Sequence, residues 1–152
     1  MHNLKSFTGK DQFDVNWIIN PTDDETKQFL TDQLVPRLNK LLENTTLPPS
    51  DVAVLDNNDV NLIRSILQQH NIQVQTIEEQ LINRCTDKVI VDDFTNVASS
   101  EFPFVFAVCD AGWPGNLYNQ FSRARTSLTI FSWIDNEQQV AQDFPSCTIH
   151  HY

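Results

Sequence analysis

The chain of 152 residues is short of glycine: Gly9, Gly112 and Gly115 are the only three. Glycine-rich loops that wrap phosphates in backbone N–H groups are therefore almost excluded. Gly9-Lys10 is the one Gly-Lys pair, and it lacks an earlier Gly, a following Ser or Thr and a preceding strand pattern. The phosphate-loop pattern G-x-x-x-x-G-K-S/T is absent. Cysteine is scarce as well. Cys85, Cys109 and Cys147 are far apart, odd in number and form no C-x-x-C pair. That argues against a disulfide framework and for buried, reduced thiols of an intracellular protein, cytoplasmic or nuclear. Basic residues are few, ten Lys+Arg against twenty Asp+Glu, for a net charge of −10. An acidic domain repels polyphosphate at long range, so nucleic acid is expected to bind weakly if at all. Long apolar runs are missing, and the opening MHNLKSFTGKDQ has no apolar h-region, so neither a membrane span nor a signal peptide is expected.

What is present is core material. Hydrophobic residues make up 40% of the chain, with ten Phe and three Trp, too many for a disordered tail. They fall in short runs: Val15 to Ile19, Val52 to Leu55, Val89 to Val91, Phe102 to Val108 and Leu128 to Phe131. These runs are rich in Val, Ile and Phe and show little polar alternation. Strands apolar on both faces belong to a parallel sheet covered by helices on both sides.

Helical patterns separate them. Leu30, Leu34, Leu38, Leu41 and Leu42 recur at helical spacing over 25–43, with Thr22, Asp23 and Asp24 as start signals and acid expected in the first turn. Pro36 inside this stretch predicts a kink or a split. A second helix is expected over 60–70, capped by Asn58 or Asp59, with Ile63, Ile66 and Leu67 as its buried stripe. A short strand from Ile72 to Gln75 follows, then a short helix carrying Ile77, Leu81 and Ile82. A helix over 116–125 leads into the Leu128 strand, and a helical patch over 137–143 precedes a weak tail. The order predicts a three-layer α/β domain with a mostly parallel sheet and helices on both faces. Residues 1–12 are polar and read as a flexible segment, with one domain over 13–152.

The segment Leu117-Tyr-Asn-Gln-Phe-Ser-Arg-Ala-Arg125, followed by the Leu128 strand, resembles the sixth motif of UvrD-like superfamily-one helicases, L-Y-V-A-L-T-R-A-R. Leu117, Tyr118, Arg123, Ala124 and Arg125 match, and Ser122 stands for Thr. Glu101-Phe-Pro-Phe-Val-Phe106 is similar to the fifth motif, K-G-L-E-F-P-V-V-F, with Ala98-Ser99 in place of Lys-Gly and Ser100 in place of Leu. Pro49-Ser-Asp-Val-Ala-Val-Leu55 resembles the P-x-D-I-A-V-L strand that opens the same half of the family. The resemblance spans residues 12 to 133. It implies the second, C-terminal RecA-like domain of such a helicase.

In that family a nucleotide sits between two RecA-like halves, and the second half lends an arginine to the γ-phosphate, where charge develops. The resemblance implies Arg123 as the finger, Arg125 as a neighbour that tunes charge, and Glu101 near the nucleotide sugar. It places the Arg123 guanidinium at the ligand-facing rim of the sheet. ATP and Mg would come with a first RecA-like domain, in cis or in trans, and the chain alone would bind no cofactor and be inactive. Spacing alone also allows a solvated helix end for Arg-Ala-Arg. The alternative function is a helicase-derived protein-interaction or regulatory module with no nucleotide role.

Other candidates read as structural. Asp92-Asp93 follows the Val89 strand like a metal-binding acid pair, but with no phosphate loop to share a metal, strand-end capping is the better reading. Trp113, in the turn-rich Asp110–Gly115 stretch, reads as a lid over the sheet edge or as a stacking residue. Cys147 with His150-His151 lacks the spacing of a closed zinc site, so no metal site is expected.

Overall fold

A computed structural model describes residues 14–20, 26–56, 59–97, 100–109, 124–133 and 148–152. Seven strands form one sheet: β1 (Asp14–Ile19), β2 (Val52–Asp56), β3 (Val74–Gln75), β4 (Val89–Asp93), β5 (Phe102–Cys109), β6 (Ala124–Ser132) and β7 (Thr148–His151). Their order is β3-β4-β2-β5-β6-β1-β7, and every pairing is parallel. Three α-helices are described: α1 (Thr26–Leu42), α2 (Val60–Gln69) and α3 (Ile77–Asn83).

The unbroken apolar runs become central strands because both faces are covered. Val15, Trp17 and Ile19 join Leu55, Ile90, Ala107 and Ile130 in a core that also receives Ile77 of α3 and Phe94. The alternate residues Ile18, Val54, Val91, Val108 and Phe131 face α1 and α2. The architecture is thus three-layered, helices above and below a parallel sheet, as the sequence predicts.

Helix α1 presents Phe29, Leu30, Leu34, Val35 and Leu38 to the sheet, each at most 5% exposed. Burial at that depth contributes roughly 1.5–3 kcal/mol for each large side chain. Phe29 packs edge-on against Phe131 and Trp133, with ring centroids 6.1 and 5.0 Å away, so Phe29→Ala would strip the contact that seats the helix. Pro36 neither splits the helix nor ends it. Its ring is exposed, which leaves the Asp32 carbonyl deprived of an N–H on the solvent side. The adjoining Gln33 carbonyl accepts from Arg37 Nη1 at 2.9 Å. No acid lies in the first turn of α1. Thr22, Asp23 and Asp24 fall outside the described residues.

Helix α2 is capped by Asp59, whose carboxylate accepts from Leu62 N at 3.1 Å. It ends where Asn71 takes a left-handed φ of 63°, a conformation asparagine tolerates. Helix α3 opens with a reciprocal capping box: Thr76 Oγ1 accepts from Glu79 N, and Glu79 Oε1 accepts from Thr76 N.

Three further expectations are corrected. Strand β3 is only Val74–Gln75, because Ile72 closes the α2 turn by donating its N–H to the Leu67 carbonyl. Ala124 and Arg125 belong to β6 rather than to a preceding helix. The pairing explains it: Phe102 stands opposite Ala124 but Phe104 opposite Ser127, so β6 carries one extra residue beside Pro103. Proline has no N–H to offer the ladder, and a bulge absorbs the gap. Finally, the weak tail forms β7, parallel to β1. The expected patch over 137–143 lies outside the described residues.

Candidate functional site

Three polar places on this sheet could carry chemistry, and they differ in what their polar atoms already do.

The first is the rim where β5 and β6 begin. Because the strands run parallel and Phe102 pairs with Ala124, the fifth and sixth motif stretches enter the sheet side by side. Glu101 is exposed directly before β5, and Arg125 is the second residue of β6. This is the N-terminal rim. Glu101 and Arg125 thus share one rim, since a residue that opens a strand sits at the opposite edge from one that closes it. Arg123 lies outside the described residues, as does the Asp110–Gly115 stretch with Trp113.

The second is the carboxylate pair at the C-terminal end of β4. Asp92 is 7% exposed. Its Oδ2 accepts from Ile77 N at 2.9 Å, and its Oδ1 accepts from Asp93 N at 2.8 Å and Asn96 Nδ2 at 2.6 Å. Asp93 Oδ1 accepts from Thr95 N and Oγ1 at 2.8 and 2.9 Å. These carboxylates tie the start of α3 and the turn after β4 to the sheet, as the capping reading holds. Among the described residues no cluster of three or more His, Cys, Asp and Glu could hold a metal ion. His150 stands on the edge strand β7.

The third place was not foreseen. A cavity of about 470 Å³ lies between the C-terminal half of α1 and the sheet. Its floor is Asn16 of β1, Ser127 and Thr129 of β6, and Phe104 and Phe106 of β5. Register puts them together, since Thr129 pairs with both Asn16 and Phe106, and Ser127 with Phe104. Its wall is Arg37, Lys40, Leu41 and Asn44, a stripe at helical spacing. Arg37 Nη1 is held by the Gln33 carbonyl and by Gln33 Oε1, both at 2.9 Å. Burial lowers the Arg37 pKa, yet a guanidinium remains cationic at neutral pH. The signal was in the sequence: Asn16, Ser127 and Thr129 interrupt the apolar positions that face α1.

Comparison with solved structures then places the architecture. The C-terminal domain of a possible DNA helicase from Lactobacillus plantarum WCFS1 superposes with a TM-score of 0.57 at 18% identity, over 86% of this chain and 81% of that one. The chain has a helicase C-terminal-like fold. At that identity the likeness shows the fold alone. No family model and no curated protein matches the chain. Within this helicase C-terminal-like fold, no described helix is long and apolar enough to cross a membrane.

Proposed function

We propose that the chain is the second RecA-like half of an ATP-dependent helicase or related NTPase, inert alone and completed by a first RecA-like domain in cis or in trans. The reading is supported chiefly by one observation: on a helicase C-terminal-like fold, the Glu101 and Arg125 stretches open neighbouring parallel strands at one rim. Arg123 is the proposed finger. Its planar, permanently charged fork pairs with phosphate oxygens and stabilises charge that grows in the transition state. Arg125 supports the local positive field, and Glu101 accepts from a sugar hydroxyl. The partner domain brings the nucleotide and its magnesium.

The test is ATP hydrolysis by the chain together with its phosphate-holding domain. Arg123→Ala should lower the rate by at least about 100-fold, below the three to five orders that such fingers supply elsewhere. Arg125→Ala should lower it less. A rate indifferent to Arg123→Ala would sink the finger role.

A second reading, a protein-interaction or regulatory module, draws on Leu81 and Ile82, neighbouring residues of α3 that are 65% and 70% exposed. Isothermal titration of the isolated chain with ATP tests the module. Micromolar ATP binding by the isolated chain would count against the module.

A further inference from the structure

The cavity beneath α1 combines features that sheet packing alone does not require. Thr129 is 6% exposed and lines the cavity, and no described hydrogen bond engages its hydroxyl, which keeps contact with solvent. The Asn16 amide and the Ser127 hydroxyl are likewise unengaged among the described residues. Polar side chains on a covered sheet face are normally hydrogen-bonded or absent. The same face elsewhere is made of Ile18, Phe131, Val54 and Val108. Three polar groups gathered in one concavity therefore have capacity to spare.

Charge points the same way. The chain carries −10, but among the described residues this cavity is lined by Arg37 and Lys40 and by no acid. Arg37 is preorganised by its two bonds to Gln33, and its remaining N–H groups are uncommitted in any described hydrogen bond. Asn44 spends Oδ1 on Thr46, leaving its Nδ2 as a donor. The remaining lining is flat and apolar. Phe106 stacks on Phe131 at 6.3 Å and 19°, and Phe104 is part-exposed beside it. A volume of 470 Å³ falls within the roughly 300–1,000 Å³ of small-molecule sites.

We propose that this cavity binds a small anion bearing a flat aromatic ring, its carboxylate or phosphate toward Lys40 and Arg37 and its ring against Phe104 and Phe106. Thr129, Ser127 and Asn16 supply the hydrogen bonds that orient it. The proposal is independent of the ATPase half-site and stands if that reading fails.

The experiment is a ¹H–¹⁵N NMR titration of the full chain with 2-naphthoate, 2-naphthyl phosphate and neutral 2-naphthol. An anion should give saturable shifts gathered at Asn16, Lys40, Leu41 and Thr129, with a Kd of about 1 mM or tighter. Whichever anion binds tighter identifies the headgroup class. Lys40→Glu, at an exposed position, should leave the spectrum folded and weaken anion binding at least about tenfold. Thr129→Val should weaken it about threefold or more without moving other regions of the spectrum. The proposal is overturned if neither anion saturates, if the shifts gather elsewhere, if 2-naphthol binds as tightly as the anions, or if Lys40→Glu leaves the affinity unchanged.

Discussion

The end of β4 and the floor beneath α1 are both polar patches on an apolar sheet, yet they spend their atoms differently. At the end of β4, every Asp92 oxygen faces a donor from the chain itself: Ile77 N, Asp93 N and Asn96 Nδ2. Beneath α1, Thr129, Ser127 and Asn16 face a cavity with nothing from the described residues to bond. Residue type alone would rank them the other way, since an aspartate pair at a strand end looks more like chemistry than two hydroxyls and an amide. Hydrogen-bond satisfaction separates a brace from a receptor, and that distinction is available only in three dimensions.

Substitutions can break this contrast. The largest effect is expected at Asp92. Asp92→Ala strands the Ile77 and Asp93 N–H groups and the Asn96 amide, and should cost about 3 kcal/mol in urea unfolding. A cost below about 1 kcal/mol would remove the brace from the comparison. Thr129→Val is next. It keeps the shape and removes a hydroxyl that bonds nothing described, so stability should change by less than about 0.5 kcal/mol. A loss above about 1.5 kcal/mol would show that the hydroxyl holds the fold.

The smallest effect concerns Glu79. The Thr76 backbone N–H, ahead of the Thr76 hydroxyl and the fields of Arg64 and Lys88, holds its carboxyl below the ordinary 4.5, although burial pushes the other way. A carboxyl lowered on folding contributes stability that is complete above the ordinary value and disappears as pH falls through the lowered one. Glu79→Gln keeps a capping acceptor but cannot titrate. The wild-type advantage over this variant should be present near neutral pH and fade in acid, on urea curves compared across that range. An advantage that persists unchanged into strong acid would sink the assignment.

The sheet was legible because its strands are apolar runs, and runs such as Val52–Leu55 or Phe102–Val108 need no knowledge of neighbours. Asp59 and the Thr76–Glu79 box mark helix starts locally for the same reason. What sequence reasoning missed depends on partners. Pro36 is tolerated because α1 is pinned by Phe29 and Leu34 and the ring faces water. The strand character of Ala124 and Arg125 is set by Phe102 and Pro103 across the ladder. Thr148–His151 has half-polar composition and becomes a strand only because β1 offers an edge. Of the site, Glu101 and Arg125 were legible as motif members, but that they share one rim emerges only from the pairing of β5 with β6. The cavity went unseen because Arg37 and Lys40 meet Thr129 only through packing.

The pairing of β1 has a consequence for how the molecule is made. Asp14 aligns with Ser127 and Asn16 with Thr148, so the first strand finds its only neighbours among the last. During synthesis, Trp17 and its apolar companions must wait for nearly the whole domain to leave the ribosome before they can be covered. Contacts so distant along the chain delay closure. Removing the final strand would leave the opening strand with one side bare, a sticky edge inviting association with other nascent chains.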